Sequence, residues 1–126
     1  METPFSELRQ KVQAELNGYK TPEPHPQTVG LPLPPSWFSG RLAEMRAALV
    51  MPHASKIRDC VEGTGELVIV DVAIVADDGQ GTIVAYDPAA DTYVLATNYP
   101  DPDITRGVNI VACGIRGTAV DCFLSA

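Results

Sequence analysis

The first half of the chain begins with an apolar stripe at helical spacing. Four apolar side chains recur every three or four residues before Gly18: Phe5, Leu8, Val12 and Leu16. Thr3 and Pro4 precede most of this stripe, and these residue types favour the N-cap and the first position of a helix. The pattern therefore predicts an amphipathic helix over residues 1–18.

A proline-rich segment and a second apolar stripe follow. Residues 19–35 contain six prolines, which are disfavoured in helix interiors and central strands, so we expect an extended strap. Ser36 or Ser39 then caps a segment that ends before Pro52, because the residue before proline avoids the helical conformation. Its apolar positions again have helical spacing: Phe38, Leu42, Met45 and Leu49. We therefore predict a second helix over residues 36–51.

The second half of the chain has the texture of an antiparallel sheet. Over residues 66–126, short β-branched and aromatic runs alternate with turn residues, which is typical of such sheets. Residues 51–65 show no clear period, and we expect a helical turn over residues 55–61 followed by a loop. Five strands are predicted: residues 67–76, 81–86, 92–97, 108–113 and 118–124. The chain is thus expected to be one α+β domain, with two N-terminal helices and the strap packed on an antiparallel sheet of about five strands.

The turns suggest a register for the first two hairpins. A two-residue turn at residues 78–79 and a five-residue loop at residues 87–91 give one apolar face, expected to lie under the helices. That face gathers Val68, Val70, Val72, Ile74, Ile83, Ala85, Tyr93 and Leu95. The other face is mixed and gathers Leu67, Ile69, Asp71, Ala73, Val75, Thr82, Val84, Tyr86, Thr92, Val94 and Ala96. A strand with one solvent-exposed face normally alternates between apolar and polar residues. Three explanations of the mixed face therefore stay open: a cover from this chain, a partner or second copy, or a wrong register.

Charge is unevenly distributed along the chain. The formal net charge is −7, and residues 61–126 carry ten acidic side chains against two basic ones. Phosphate backbones are bound by surplus lysine and arginine, so no direct binding of nucleic acid is expected. A basic protein partner fits better, since complementary fields speed association, although acidity also serves solubility.

Targeting and cysteine patterns narrow the setting. No apolar run approaches the length that spans a bilayer, and the N-terminal residues METPFSELRQKVQ lack a secretory layout. We expect a cytoplasmic protein with no membrane partner. The three cysteines have no regular spacing, which favours neither a disulfide framework nor a zinc site.

Candidate catalytic groups are few. Asp71 lies within the apolar run VIVDVAIV, and a carboxylate buried there would suit acid–base catalysis, yet the proposed register lets water or a turn solvate it. His53, Asp59 and Cys60 place a base, an acid and a thiol close together in the sequence, but no glycine-rich oxyanion loop accompanies them. Core burial of the cysteine and helix capping by the histidine explain them better than a catalytic thiol does. We predict no enzymatic activity and no cofactor.

Metal and disulfide chemistry are also not favoured. The turns at residues 77–79 and 101–103 offer carboxylate oxygens, but neither has the spacing of a calcium loop. In the predicted last hairpin, Cys113 and Cys122 are roughly 13 Å apart at about 3.3 Å per residue. A disulfide needs Cα atoms within about 7 Å, so we predict no bridge and no metal site.

Three segments are similar to the SUKH superfamily. An early amphipathic helix is followed by residues 33–37, LPPSW, which open the second helix, and residues 77–81, DDGQG, lead into a strand closed by Asp87. The superfamily has a comparable leucine-proline-aromatic helix start and a glycine-rich acidic turn. Many of its bacterial members are immunity proteins that bind and neutralise secreted toxins, so the resemblance implies a binding domain without catalytic residues.

The predicted function is a non-enzymatic, acidic protein-binding domain that binds a basic protein, for example a toxin that it inhibits. Such binding rests on a few aromatic or charged anchors. We predict these contact residues: Asp78, Tyr86, Tyr99, Asp101 and Asp103. The alternative is a homo-oligomeric structural protein that uses the mixed sheet face, or a small-molecule-binding protein with a pocket into which Asp71 or His53 points.

Overall fold

The computed structural model describes residues 5–20, 35–60, 67–98 and 110–126, in which three helices pack around five strands. The helices are α1 (Phe5–Gly18), α2 (Pro35–Ala48) and α3 (Ala119–Leu124). The strands are β1 (Leu49–Cys60), β2 (Leu67–Asp77), β3 (Ile83–Asp87), β4 (Thr92–Asn98) and β5 (Ile110–Gly117). The α+β class is confirmed, whereas the proline-rich strap lies outside these ranges. No helix in the described ranges has the length and apolarity needed to cross a membrane.

The two predicted helices are present, and apolar residues of both pack into the same hydrophobic core. Leu8, Val12 and Leu16 of α1 are buried, as is Met45 of α2. The second helix ends at Ala48 rather than at residue 51, since Leu49 already belongs to β1.

The sheet closes on itself into a barrel in the strand order β1-β2-β3-β4-β5. Consecutive strands pair antiparallel, and a parallel pairing of β1 with β5 at Arg58 and Val111 completes the ring. Closure matters for function because a closed sheet has no free edge for another chain to extend.

The prediction for residues 51–60 was wrong, because residues 49–60 form β1 rather than a helix end and a helical turn, while the predicted loop over residues 62–65 lies outside the described residues. The β1 sequence is polar and alternates weakly, so the strand depends on pairing with β2. On one face Ile57 lies opposite Val70, and on the other Lys56 lies opposite Asp71. Pro52 is accommodated because it lies in a register irregularity between the pairs made by Leu49 and His53.

The fifth predicted strand was also wrong, because residues 119–124 form α3. Thr118 is its N-cap, and the Thr118 hydroxyl oxygen accepts a hydrogen bond from the Asp121 amide at 3.1 Å. The Glu15 carboxylate on α1 accepts two more, from Ala119 at 3.3 Å and from Val120 at 2.5 Å. These bonds satisfy amides that a helix start leaves without partners, and a strand would not need them.

The hairpin registers differ from the predicted ones. Asp77 pairs with Ile83, so the β2–β3 connection is five residues long instead of two, and a bulge follows in β2. Asp87 pairs with Thr92, which leaves a connection of four residues and places Ala85 opposite Val94 rather than Tyr93. A slip of one residue moves a whole strand to the other face, and β4 is reversed in this way.

Both faces of the sheet are covered by the chain itself, which explains the mixed face. The barrel interior is formed by Ile57, Val72, Ile74, Ile83, Ala85, Val94 and Ala96. The outer core packs α1, α2 and α3 on the opposite face, and its strand residues are Ala73, Val75, Ala76, Val84 and Leu95. The surface that we considered for a second copy is therefore buried at Ala73, Val75, Val84, Val94 and Ala96, whereas Ile69 is 54% exposed and Tyr86 is partly exposed.

Candidate functional site

A cleft between α2 and the β2–β3 turn is lined by three acidic side chains, Glu44, Asp77 and Asp78. Its volume is about 430 Å³. We call it the acidic cleft, and its lining residues are Arg41, Glu44, Ala47, Ala48, Asp77, Asp78 and Gln80. The two alanines leave room beside the carboxylates, so a long side chain from outside can approach them.

The turn that carries two of these carboxylates is built by the carboxylates themselves. Asp77 Oδ1 accepts a hydrogen bond from the Gly79 amide at 2.9 Å, and Asp78 Oδ1 accepts from Gln80 at 2.8 Å and from Thr82 at 3.0 Å. Gly79 has a φ of 74°, a left-handed conformation that glycine adopts without steric cost. Each aspartate still exposes its carboxylate to water.

Asp78 is held in its ionised form. Partial burial raises its pKa, but the backbone hydrogen bonds from Gln80 and Thr82, together with the charge of Arg41, outweigh burial and leave the pKa below its ordinary value. Asp78 therefore stays ionised to a lower pH than an ordinary aspartate does.

Arg41 does not neutralise the cleft. Its guanidinium forms an ion pair with Glu44, donates a hydrogen bond to the Phe123 carbonyl at 3.1 Å and lies 4.7 Å from the Phe123 ring centroid. Across the described residues, neither Asp77 nor Asp78 has an ion-pair partner. Three carboxylates thus share one guanidinium that is fixed to α3, and the acidic cleft keeps an excess of negative charge.

The opposite end of the barrel holds a charge cluster built around a single arginine. Arg116 on β5 donates to Asp59 at the end of β1, and to Asp87 at the end of β3 at 3.1 Å. Asp87 is only 4% exposed and also accepts from the amides of Ala89 at 3.1 Å and Ala90 at 3.4 Å. Burial alone would lower the pKa of Arg116, but its bonds and charge interactions with both aspartates raise it. This cluster ties three strands together, and its one guanidinium is shared between two carboxylates.

The structure separates two of the predicted contact residues. Asp78 lies in the acidic cleft, whereas Tyr86 lies at the other end of β3. The Tyr86 ring packs against Tyr93 at a centroid distance of 5.3 Å, and its hydroxyl donates to Asp91 at 2.7 Å. Tyr86 is only partly exposed, so it offers less surface than the sequence indicated.

The other three predicted contact residues, Tyr99, Asp101 and Asp103, lie outside the described residues. The strands that border them can be placed, since Asn98 at the end of β4 pairs with Ile110 at the start of β5. Ala96 pairs with Ile83, so both strand ends are on the side of the barrel that carries the β2–β3 turn.

The candidate catalytic residues are not assembled into a site. Asp71 is exposed and forms an ion pair with Lys56 at 2.6 Å, so the burial on which its catalytic interpretation depended is absent. His53 is exposed, and its Nδ1 lies 3.1 Å from the Met51 carbonyl oxygen. His53 and Asp59 are six residues apart on β1, or roughly 20 Å at the rise of a strand. Asp59 forms an ion pair with Arg116, and the side chain of Cys60 lies outside the described residues.

The described residues form neither a metal site nor a disulfide. No group of three or more potential metal-ligating side chains comes together within the described ranges. Cys113 is exposed and Cys122 is buried, and both are free thiols.

Sequence reasoning identified the acidic turn but missed the groups that complete each end of the barrel. Arg41 and Glu44 were not predicted as site residues, and Asp87 was placed only at the start of a loop. Their partners lie up to 82 residues away along the chain, as for Arg41 and Phe123, so no local pattern could join them. The scarcity of basic residues in the second half was the one available signal for Arg116.

Comparison with known proteins adds no family to this description. No protein-family model matches the chain, and neither a curated protein nor a solved structure is significantly similar to it.

Proposed function

We propose that this chain is a non-enzymatic protein-binding domain whose acidic cleft receives a basic surface of a partner protein. The observation that supports it most directly is the uncompensated charge of Asp77 and Asp78 beside Glu44. The net charge of −7 extends the same field over a longer range, which favours rapid association with a basic protein.

The cleft suits a lysine or arginine side chain. Its alanine floor, formed by Ala47 and Ala48, can pack against an aliphatic stem while the cationic head meets the carboxylates at the rim. Because the carboxylates at the rim are exposed, each contact of this kind is worth about 0–1 kcal/mol, and several together are needed for affinity. In line with the resemblance to the SUKH superfamily, the proposed partner is a toxin that the domain neutralises in the cytoplasm.

The test compares two matched double variants in affinity capture from native cell lysate at low and high salt. Asp77→Asn with Asp78→Asn removes two charges from the cleft but keeps the Oδ1 acceptors on which the turn depends. Asp71→Asn with Asp121→Asn removes the same charge from exposed positions elsewhere. Circular dichroism of each protein first establishes that the fold is kept.

The expected result is stoichiometric capture of a basic protein by the wild type and by the Asp71/Asp121 variant at low salt. Capture should be weakened by salt and by the Asp77/Asp78 variant, because each removes the same electrostatic attraction. Equal capture by both double variants would refute the role of the cleft. Recovery of the chain alone, as an oligomer at both salt concentrations, would refute the proposal and favour the homo-oligomer.

A further inference from the structure

A second cleft, between α1 and the C-terminal end of α2, has the opposite charge. Its volume is about 420 Å³. We call it the arginine cleft, and its lining residues are Arg9, Gln13, Leu16, Asn17, Arg46 and Leu49. None of these described lining residues is acidic.

Its polar side chains come from two helices. Arg9, Gln13 and Asn17 are four residues apart on α1, so they share one face of that helix. Arg46 lies in the last turn of α2, and its Nη2 donates to the Leu16 carbonyl oxygen at 3.5 Å. This long bond positions the guanidinium across the end of α1 and occupies one of its five N–H donors.

The two guanidinium groups lack anionic partners. Arg41 and Arg116 are ion-paired, but neither Arg9 nor Arg46 forms an ion pair with any carboxylate in the part of the chain that the structure describes. Two positive charges that line one cleft repel each other, and an anion between them would be attracted by both. Arg9 is partly exposed and Arg46 is exposed, so both guanidinium groups are accessible to an anion from solvent.

We propose that the arginine cleft binds a small anion that carries a phosphate or carboxylate group. Arg9 and Arg46 supply charge-assisted hydrogen bonds, for which the fork of the guanidinium matches both groups. The side-chain amides of Gln13 and Asn17 supply neutral donors beside them. This inference is independent of the acidic cleft, since the two clefts share no lining residue.

The experiment is a titration of the ¹⁵N-labelled full chain with inorganic phosphate, and separately with succinate, followed by amide chemical shifts. Ionic strength is held constant with sodium chloride. Arg9→Gln and Arg46→Gln each remove one charge from the cleft. Lys11→Gln is the matched control, because Lys11 is exposed on α1 and does not line the cleft.

Saturable shifts at the cleft residues are expected with at least one anion, with an affinity reduced about tenfold or more in either arginine variant and unchanged in Lys11→Gln. Saturation by phosphate alone would identify a phosphate ligand, and saturation by succinate alone a carboxylate ligand. Shifts that grow linearly without saturation, or that weaken equally in Lys11→Gln, would overturn the site. Because Arg46 also bonds the end of α1, Arg46→Lys, which retains the charge, should restore part of the affinity.

Discussion

Raising the pH above 9 is expected to destabilise the fold through a single thiol. Cys122 lies on α3 with no exposed surface, and its Sγ is 4.0 Å from the Ile115 carbonyl oxygen. Burial, and then the negative charges of Asp121 and Glu15, raises the pKa of this thiol from 9.0 to about 11. The folded state therefore holds the proton more tightly than the unfolded state does.

The magnitude follows from the two pKa values. An increase of one pKa unit corresponds to about 1.4 kcal/mol, so the change from 9.0 to about 11 contributes about 3 kcal/mol. Because the pKa is raised in the folded state, this contribution is fully present below pH 9 and is lost as the pH rises towards 11. A domain of this size has a free energy of unfolding of about 5–15 kcal/mol, so the loss is a large fraction of it.

Urea unfolding between pH 8 and 10, under reducing conditions, measures this effect. Tyr93 adds little in that window, since its pKa is raised from 10.0 to about 12. The wild type should lose stability by up to about 1.4 kcal/mol per pH unit above 9, and Cys122→Ala should start less stable but lose much less. Cys113→Ala, which removes the exposed thiol, should stay close to the wild type but lose slightly less stability, because partial burial raises the pKa of that thiol too. If Cys122→Ala falls as steeply as the wild type over this range, ionisation of the buried thiol is not the cause.

Two further changes test the contacts between distant parts of the chain. Arg116→Met should lower the free energy of unfolding by about 1–3 kcal/mol, reduced from the value for a fully buried pair because the arginine is partly exposed, and urea unfolding measures it. Arg116→Met should cost less unfolding free energy when Asp87→Asn is already present, because the pair is then already weakened. Purely additive losses would contradict the coupling between Arg116 and Asp87. Glu15→Ala should cost about 1 kcal/mol because the first amides of α3 lose their acceptor, and Glu15→Gln, which keeps a side-chain oxygen, should cost less.

The parts of the fold that could be predicted are those in which local pattern and tertiary burial agree. The stripe of α1 and the β-branched runs of β2, β3 and β4 lie where the sequence indicated. β1 was missed because its apolar residues are sparse and Pro52 interrupts them, so the strand depends on pairing with β2. Residues 119–124 have the composition of a strand, but a carboxylate more than one hundred residues away caps them as a helix.

The candidate site divides in the same way. The acidic turn was visible because aspartate and glycine at residues 77–79 encode their own geometry. The pairing of Arg41 with α3, and the separation of Tyr86 from Asp78 along β3, depend on how the helices and strands pack. A sequence pattern contains no direct information about either.

The placement of the acidic residues follows from the closed barrel, and it connects the fold to the proposed function. Where helices cover the outer side of the barrel, both faces of β2, β3 and β4 are buried, so charged side chains there are confined to strand ends and turns. At one end of the barrel, Arg116 forms ion pairs with two carboxylates, those of Asp59 and Asp87. At the other end, the guanidinium of Arg41 is bound to Glu44 and to α3, and Asp77 and Asp78 form no ion pair among the described residues. Asp77 and Asp78 are exposed in the β2–β3 turn, so we expect a basic partner to be attracted there.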